Sequence, residues 1–91
     1  MANAILVAPA DNVAVAVEPA AKGETLLVNT GERTFAVTAA DDIPIYHKFA
    51  LTDLEKGSSV IKYGEEIGVA TADIPKGAHV HTHNVNSRSL L

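Results

Sequence analysis

The stretch ALTDLEKGSSV at residues 50–60 aligns without gaps with ATADIPKGAHV at residues 70–80, and a less similar copy, AVEPAAKGETL, occupies residues 16–26. Each copy is typical of a strand end, a single helical turn and a new strand. In the first copy Thr52 and Glu55 form a capping-box pattern, and Gly57 can take the left-handed conformation that ends the turn. The unit is far shorter than a solenoid repeat, so it predicts the repeated corner of one compact β-domain.

Two hairpins are predicted between these corners. Residues 25–28 and 34–37 are β-rich and flank Asn29-Thr30-Gly31-Glu32, whose Asn and Gly favour a hairpin turn. Residues 60–63 and 67–70 flank Gly64-Glu65-Glu66 in the same way. Upstream, Val13, Val15 and Val17 alternate with alanines, which is the period of a half-buried strand.

Composition excludes several classes of protein. The 91 residues carry a net charge of -4 with scattered Lys and Arg, which argues against a nucleic-acid or anionic-membrane surface. Cysteine is absent, so disulfides, zinc knuckles and thiol catalysis are excluded. The first apolar run ends at Pro9, too early for a signal peptide or membrane span. We therefore expect one domain over residues 1–91 in a soluble, cytoplasmic protein.

Several short motifs follow one another in a specific order. They include Asp11-Asn12-Val13, HKFAL at 47–51, VIKYG at 60–64, ATADI at 70–74 and VHTHN at 80–84. Over residues 11–84 this series closely resembles the SAF domain of the altronate/galactarate dehydratase family, which is an N-terminal domain or a separate small subunit. The resemblance implies a mostly β, β-clip fold: a long hairpin folded over on itself, with the one-turn helices predicted above at its corners. It also implies a large catalytic subunit or domain as partner; whether this chain is a natural small subunit or an excised domain is left open.

The histidines of the last motif pose a geometric question. If residues 79–83 are extended, His79, His81 and His83 line one face. Residues i and i+2 lie about 6.6 Å apart and i and i+4 about 13 Å, so an adjacent pair can share an ion but His79 and His83 cannot. The family motif covers His81 and His83, which are our predicted metal ligands. A solvated polar face is the alternative reading.

The resemblance extends the predicted site. His47, from the HK motif, is expected as a third metal ligand from another strand, and Lys48 and Asn84 as substrate-binding residues. The implied cofactor is a divalent metal, Fe(II) or Mn(II), which would stabilise the enediolate formed when a sugar acid loses a proton and then hydroxide. For His47 a hydrogen-bonded histidine at a strand start is an equal alternative.

The function implied is that of a hydro-lyase component, inactive without its large partner. No Ser/His/Asp spacing, phosphate-binding loop or complete metal motif points to catalysis by this chain alone. One alternative is the small subunit of a (2R)-sulfolactate sulfo-lyase, and another is a non-catalytic SAF binding or assembly module. Substrate, metal identity and self-association are not determined by the sequence.

Overall fold

The computed structural model describes residues 3–87, so both ends of the predicted domain 1–91 lie outside the described residues. The described chain is built from short strands without helices. The strands are β1 (Ala4–Ile5), β2 (Val13–Ala16), β3 (Thr25–Asn29), β4 (Thr34–Thr38), β5 (Lys48–Ala50), β6 (Ser59–Lys62), β7 (Glu65–Ala70), β8 (His79–Val80) and β9 (Val85–Asn86).

The strands form two sheets. The larger has the order β4-β3-β1-β2-β5-β8, and the smaller has the order β6-β7-β9. All neighbours are antiparallel except β1 and β3. The larger sheet curls into a half-barrel, in agreement with the predicted β-clip. Both predicted hairpins are confirmed as β3-β4 and β6-β7. The turn of the second is Tyr63-Gly64, so Glu65 and Glu66, predicted in the turn, belong to β7.

Two apolar clusters form the core. One surrounds Phe49 and Leu26, and the other surrounds Val60 and Ile74. Strand β2 contributes to both: Ala14 and Ala16 lie in the first cluster and Val13 in the second. The prediction of a half-buried strand is therefore wrong for β2, because packing on both faces buries the alanines that the alternating pattern assigned to solvent.

The repeated units are corners, but their predicted one-turn helices are not seen in the described chain. Residues 55–58 form a turn closed by the Ser58 N–H and the Glu55 carbonyl at 2.9 Å, with Gly57 at φ 92°. A positive φ at the third turn position alone is the mark of a type II turn. In corner 16–24 the carboxylate of Glu24 accepts the Ala21 N–H at 2.6 Å, and each corner also pairs with another corner.

Corner 50–58 and corner 70–78 pair reciprocally. Leu54 and Ile74 exchange backbone hydrogen bonds of 2.8 and 2.7 Å. Asp53 accepts the N–H of Lys76 at 2.8 Å, and Asp73 accepts that of Lys56 at 2.8 Å. The two corners therefore lock each other through main-chain and carboxylate contacts.

Corner 16–24 pairs in the same way with a fourth corner, residues 39–47, which the sequence comparison did not reveal. Ala20 and Ile43 exchange hydrogen bonds of 2.9 and 2.7 Å. In this fourth corner the glycine position is taken by Tyr46, at φ 66°. His47 donates its N–H to the Pro44 carbonyl at 3.1 Å, so the turn closes as in the other copies.

No helix of the described residues is long and apolar enough to cross a membrane.

Candidate metal centre

Strand pairing brings histidines from two distant parts of the chain together. In the β5-β8 ladder Lys48 lies opposite Val80 and Phe49 opposite His79. Continuing this register by one residue places His47, at the end of the fourth corner, opposite His81. The rings of His47 and His81 stack with centroids 4.3 Å apart.

Three imidazoles converge at this edge. His47, His79 and His81 each offer a ring nitrogen, and these nitrogens lie within 4.8 Å of one another. Nδ1 of His47 and Nε2 of His79 are hydrogen-bonded at 2.8 Å, which is the alternative considered for His47 from the sequence. An ion about 2.1 Å from each nitrogen needs ligand atoms roughly 3 to 3.5 Å apart. The three imidazoles are stacked on one another, so they could hold a metal ion once the rings turn their nitrogens toward it, and imidazole suits Fe(II).

The loop after β8 is a tight turn that Asn84 closes. Its Oδ1 accepts the His81 N–H at 3.0 Å, and its Nδ2 donates to the His79 carbonyl at 2.8 Å. The Asn84 carbonyl also accepts the Thr71 N–H at 2.9 Å. Asn84 thus holds the backbone that carries two of the three imidazoles, a role that the sequence did not suggest.

This turn corrects the expectation that residues 79–83 are extended, because the strand ends at Val80. His79 and His83 consequently approach to 5.1 Å between ring centroids. His83 is exposed and is not one of the three converging residues. Of the predicted ligands, the structure brings together His47 and His81, and the third imidazole is that of His79. The sequence alone does not reveal that β5 pairs with β8, and this pairing is what brings His79 close to His47.

The surroundings lower the pKa of two imidazoles. Burial, followed by the charges of His83, His47 and His81, lowers the pKa of His79, while Asp41 opposes the shift. Asp41 also accepts the His79 backbone N–H at 3.0 Å. Burial and then His47, Lys48 and His83 lower the pKa of His81. A neutral imidazole has the free lone pair that a metal needs.

Lys48 places a cation beside the histidines. It lies partly buried on β5, and burial followed by the nearby Lys62 lowers its pKa. Lys48 is also close enough to His81 to disfavour protonation of that ring. A lysine ammonium in this position can attract a carboxylate as a point charge.

Comparison with known proteins identifies the family of the chain. The family model described as the altronate/galactarate dehydratase SAF domain matches residues 2–88. The chain belongs to this SAF-domain family. Membership covers nearly the whole sequence, and it confirms the resemblance drawn from the short motifs.

Curated relatives carry this SAF domain in two arrangements. The chain is 49% identical over 77 residues to altronate dehydratase of Escherichia coli (strain K12), covering 85% of this chain but 15% of that protein. Altronate dehydratase of Bacillus subtilis (strain 168) is 38% identical over 77 residues, again 85% of this chain and 15% of that protein. By contrast, the 47% identity to (2R)-sulfolactate sulfo-lyase subunit alpha of Paracoccus pantotrophus extends over 68% of this chain and 92% of that subunit. The SAF domain is thus a small part of one relative and most of another.

Proposed function

We propose that this chain is the SAF domain or small subunit of a sugar-acid hydro-lyase of the altronate/galactarate type. It would contribute imidazoles to a metal and substrate site that a large catalytic subunit or domain completes. The convergence of His47, His79 and His81 at one edge of the sheet is the observation that carries this proposal. The family of the chain supports the substrate class, and we expect the assembly in the cytoplasm.

We assign His47, His79 and His81 as ligands of a divalent metal, Fe(II) or Mn(II). His83, the other ligand predicted from the sequence, lies beside His79 but outside this group. A bound ion would act as a Lewis acid toward the substrate carboxylate and hydroxyl oxygens. The lowered pKa values of His79 and His81 keep their lone pairs available near neutral pH.

The other side chains assist binding. We assign Lys48 to attract the substrate carboxylate, while Asn84 holds the turn that carries His79 and His81 through its bonds to the His79 carbonyl and the His81 N–H. The proton acceptor for the carbon acid is assigned to the catalytic partner. This division explains why the chain would be inactive alone.

Sulfolactate sulfo-lyase is the second candidate. The 92% coverage of the Paracoccus pantotrophus subunit alpha supports a role as the small subunit of such an enzyme, which would expel sulfite instead of water. A non-catalytic assembly module of the SAF type is a third candidate, and it has no need for three converging imidazoles.

Metal titration tests the site. We expect the chain to bind Mn(II), observed by calorimetry and by loss of the free-ion EPR signal. Single alanine substitutions of His47, His79 or His81 should weaken binding by at least about tenfold. The matched variant His83→Ala should retain binding. If His83→Ala abolishes binding and His79→Ala does not weaken it, the ligand set is His47, His81 and His83 instead.

Activity tests the substrate. The chain assembled with its catalytic partner should be assayed on altronate, galactarate and sulfolactate with Fe(II) or Mn(II). Elimination of water from a sugar acid supports the leading proposal, and release of sulfite supports the second. Full activity on all substrates in a His47→Ala/His81→Ala variant would remove the site assignment.

A further inference from the structure

The fourth corner differs from the other three at the two central positions of its turn. Those three carry Lys22-Gly23, Lys56-Gly57 and Lys76-Gly77, whereas the fourth carries Ile45-Tyr46. The backbone is equivalent: the N–H of Tyr46 donates to the Ala16 carbonyl at 2.7 Å, as that of Gly77 donates to Ala50 at 2.8 Å. The replacement is therefore not required by the turn.

Tyr46 and Ile45 are unfavourable for the isolated chain. Tyr46 takes φ 66°, a conformation that glycine adopts without strain and tyrosine does not. Its side chain is 72% exposed and that of Ile45 is 42% exposed, so neither contributes to the core. Strained backbone conformations of non-glycine residues are found most often at functional sites, and an exposed tyrosine in place of glycine at this turn suggests such a role for Tyr46.

Each pair of corners encloses an open groove. The groove beside this corner, about 420 Å³, is lined by Pro19, Ala20, Ala21, Ile43 and Pro44 together with Glu24 and Asp42. The groove at the other corner pair likewise combines apolar residues with Asp53, Glu55 and Asp73. This corner is distinguished by the exposed side chains of Ile45 and Tyr46, and exposed aromatic side chains beside apolar ones are characteristic of protein interfaces.

This corner lies next to the histidine site, because His47 directly follows Tyr46 in the chain. We infer that the corner carrying Ile45 and Tyr46 is the surface on which the large catalytic region docks, with Tyr46 as its central anchor. This inference rests on the proposed function. The altronate dehydratase of Escherichia coli contains such a large additional region, since the matched SAF domain covers 15% of its length. Docking here would place that region directly beside the imidazoles.

Footprinting tests the contact directly. The modification rate of Tyr46 by hydroxyl radicals is measured in the isolated chain and in the complete enzyme, with the catalytic region joined or added. A desolvated anchor predicts a drop of about tenfold or more in the complete enzyme. An equal rate in the two samples overturns the inference.

A double variant separates docking from folding. Ile45→Lys with Tyr46→Gly gives this corner the Lys-Gly pair of the others, so the melting temperature of the chain should be unchanged or higher. Its Kd for the catalytic region should rise by about 30-fold or more. Val7→Lys is the matched control, since Val7 is 45% exposed and lies outside this corner; it should leave the Kd unchanged.

The outcomes distinguish the two proposals. If wild-type chain assembles with the catalytic region and the double variant assembles equally well, the docking surface is elsewhere and the proposed function stands. An equal loss in the Val7→Lys variant also contradicts a specific role for the Ile45-Tyr46 corner. If the wild-type chain neither assembles nor binds Mn(II), the proposed function itself fails.

Discussion

At the residue scale, the cluster is defined by three imidazoles that repel one another when protonated. Burial and the charges of their neighbours lower the pKa values of His79 and His81, and Asp41 opposes the shift for His79. A proton on a neighbouring ring raises the cost of protonating His79 or His81.

The pH dependence of stability follows from these lowered pKa values. A histidine whose folded pKa lies below its unfolded value of about 6.5 binds fewer protons when folded, so its contribution is present above that pH. It is lost as the pH falls through the folded pKa. We expect the metal-free chain to become less stable in urea as the pH falls below about 6.5, and NMR titration should show His79 and His81 below the ordinary histidine value.

His79→Gln and His81→Gln together should flatten this pH dependence. A free energy of unfolding that rises as the pH falls from about 6.5 to about 5 would contradict the lowered pKa values of the two rings.

Gly77 illustrates a second residue-scale effect. A Cβ at this position would lie 2.1 Å from the Thr38 carbonyl oxygen, in addition to the strain of φ 85°. Gly57, in the paired corner at φ 92°, has no atom within 4 Å of the same Cβ position. We expect Gly57→Ala to cost about 1 to 2 kcal/mol from backbone strain alone.

Gly77→Ala should lower the free energy of unfolding by at least about 2 kcal/mol more than Gly57→Ala does, because the end of β4 at Thr38 would have to move away from this corner. Urea unfolding of the two variants measures the difference. Equal losses would show that the contact with residue 38 relaxes freely.

At the element scale, the β6-β7 hairpin depends on the loop before β2 for its attachment. The carboxylate of Asp11, 8% exposed, accepts the N–H groups of Tyr63 at 3.0 Å and Gly64 at 2.8 Å. Asn12 adds side-chain bonds to Ser59 and Ile61 at 2.9 and 2.8 Å. These contacts fasten the smaller sheet to the larger one.

Asp11→Ala should therefore destabilise the chain by about 2 to 4 kcal/mol, because it leaves backbone donors without their acceptor. Asp42→Ala is the matched control: Asp42 is exposed and accepts a single N–H, from Lys22, so its loss should cost about 1 kcal/mol or less. Hydrogen exchange should show faster opening at residues 63 and 64 in the Asp11 variant. Equal stability of the two variants would refute this attachment.

At the scale of the whole molecule, the histidine cluster joins segments that are far apart in the chain. His47 belongs to the corner before β5, and His79 and His81 belong to β8 and the turn after it. A ligand that binds all three stabilises only the folded state, in which they meet.

We expect saturating Mn(II) to raise the melting temperature of the chain. At a free concentration about 100 times the Kd the gain is about 2.7 kcal/mol. For a domain of this size that corresponds to roughly 10 °C or more. Differential scanning fluorimetry should show the shift in wild-type chain and in His83→Ala, and EDTA should reverse it. A shift of the same size in His47→Ala would place the ion elsewhere.

Local signals in the sequence determined much of this architecture. Gly31 and Gly64 marked the turns of both hairpins, and the Lys-Gly repeats marked three corners, because turn conformation depends on a few adjacent residues. The short motifs identified the family and named His47 and His81. The corner with Tyr46 escaped detection because it lacks the glycine of the others.

Tertiary structure alone decided which imidazoles meet. The turn closed by Asn84 ends the strand at Val80, and the β5-β8 register brings His79 to His47 in place of the predicted His83. It also decided that β2 is buried on both faces. The physical reason is the same in each case: pairing and packing between segments distant in the chain depend on long-range contacts, and these leave no local pattern in the residues that make them.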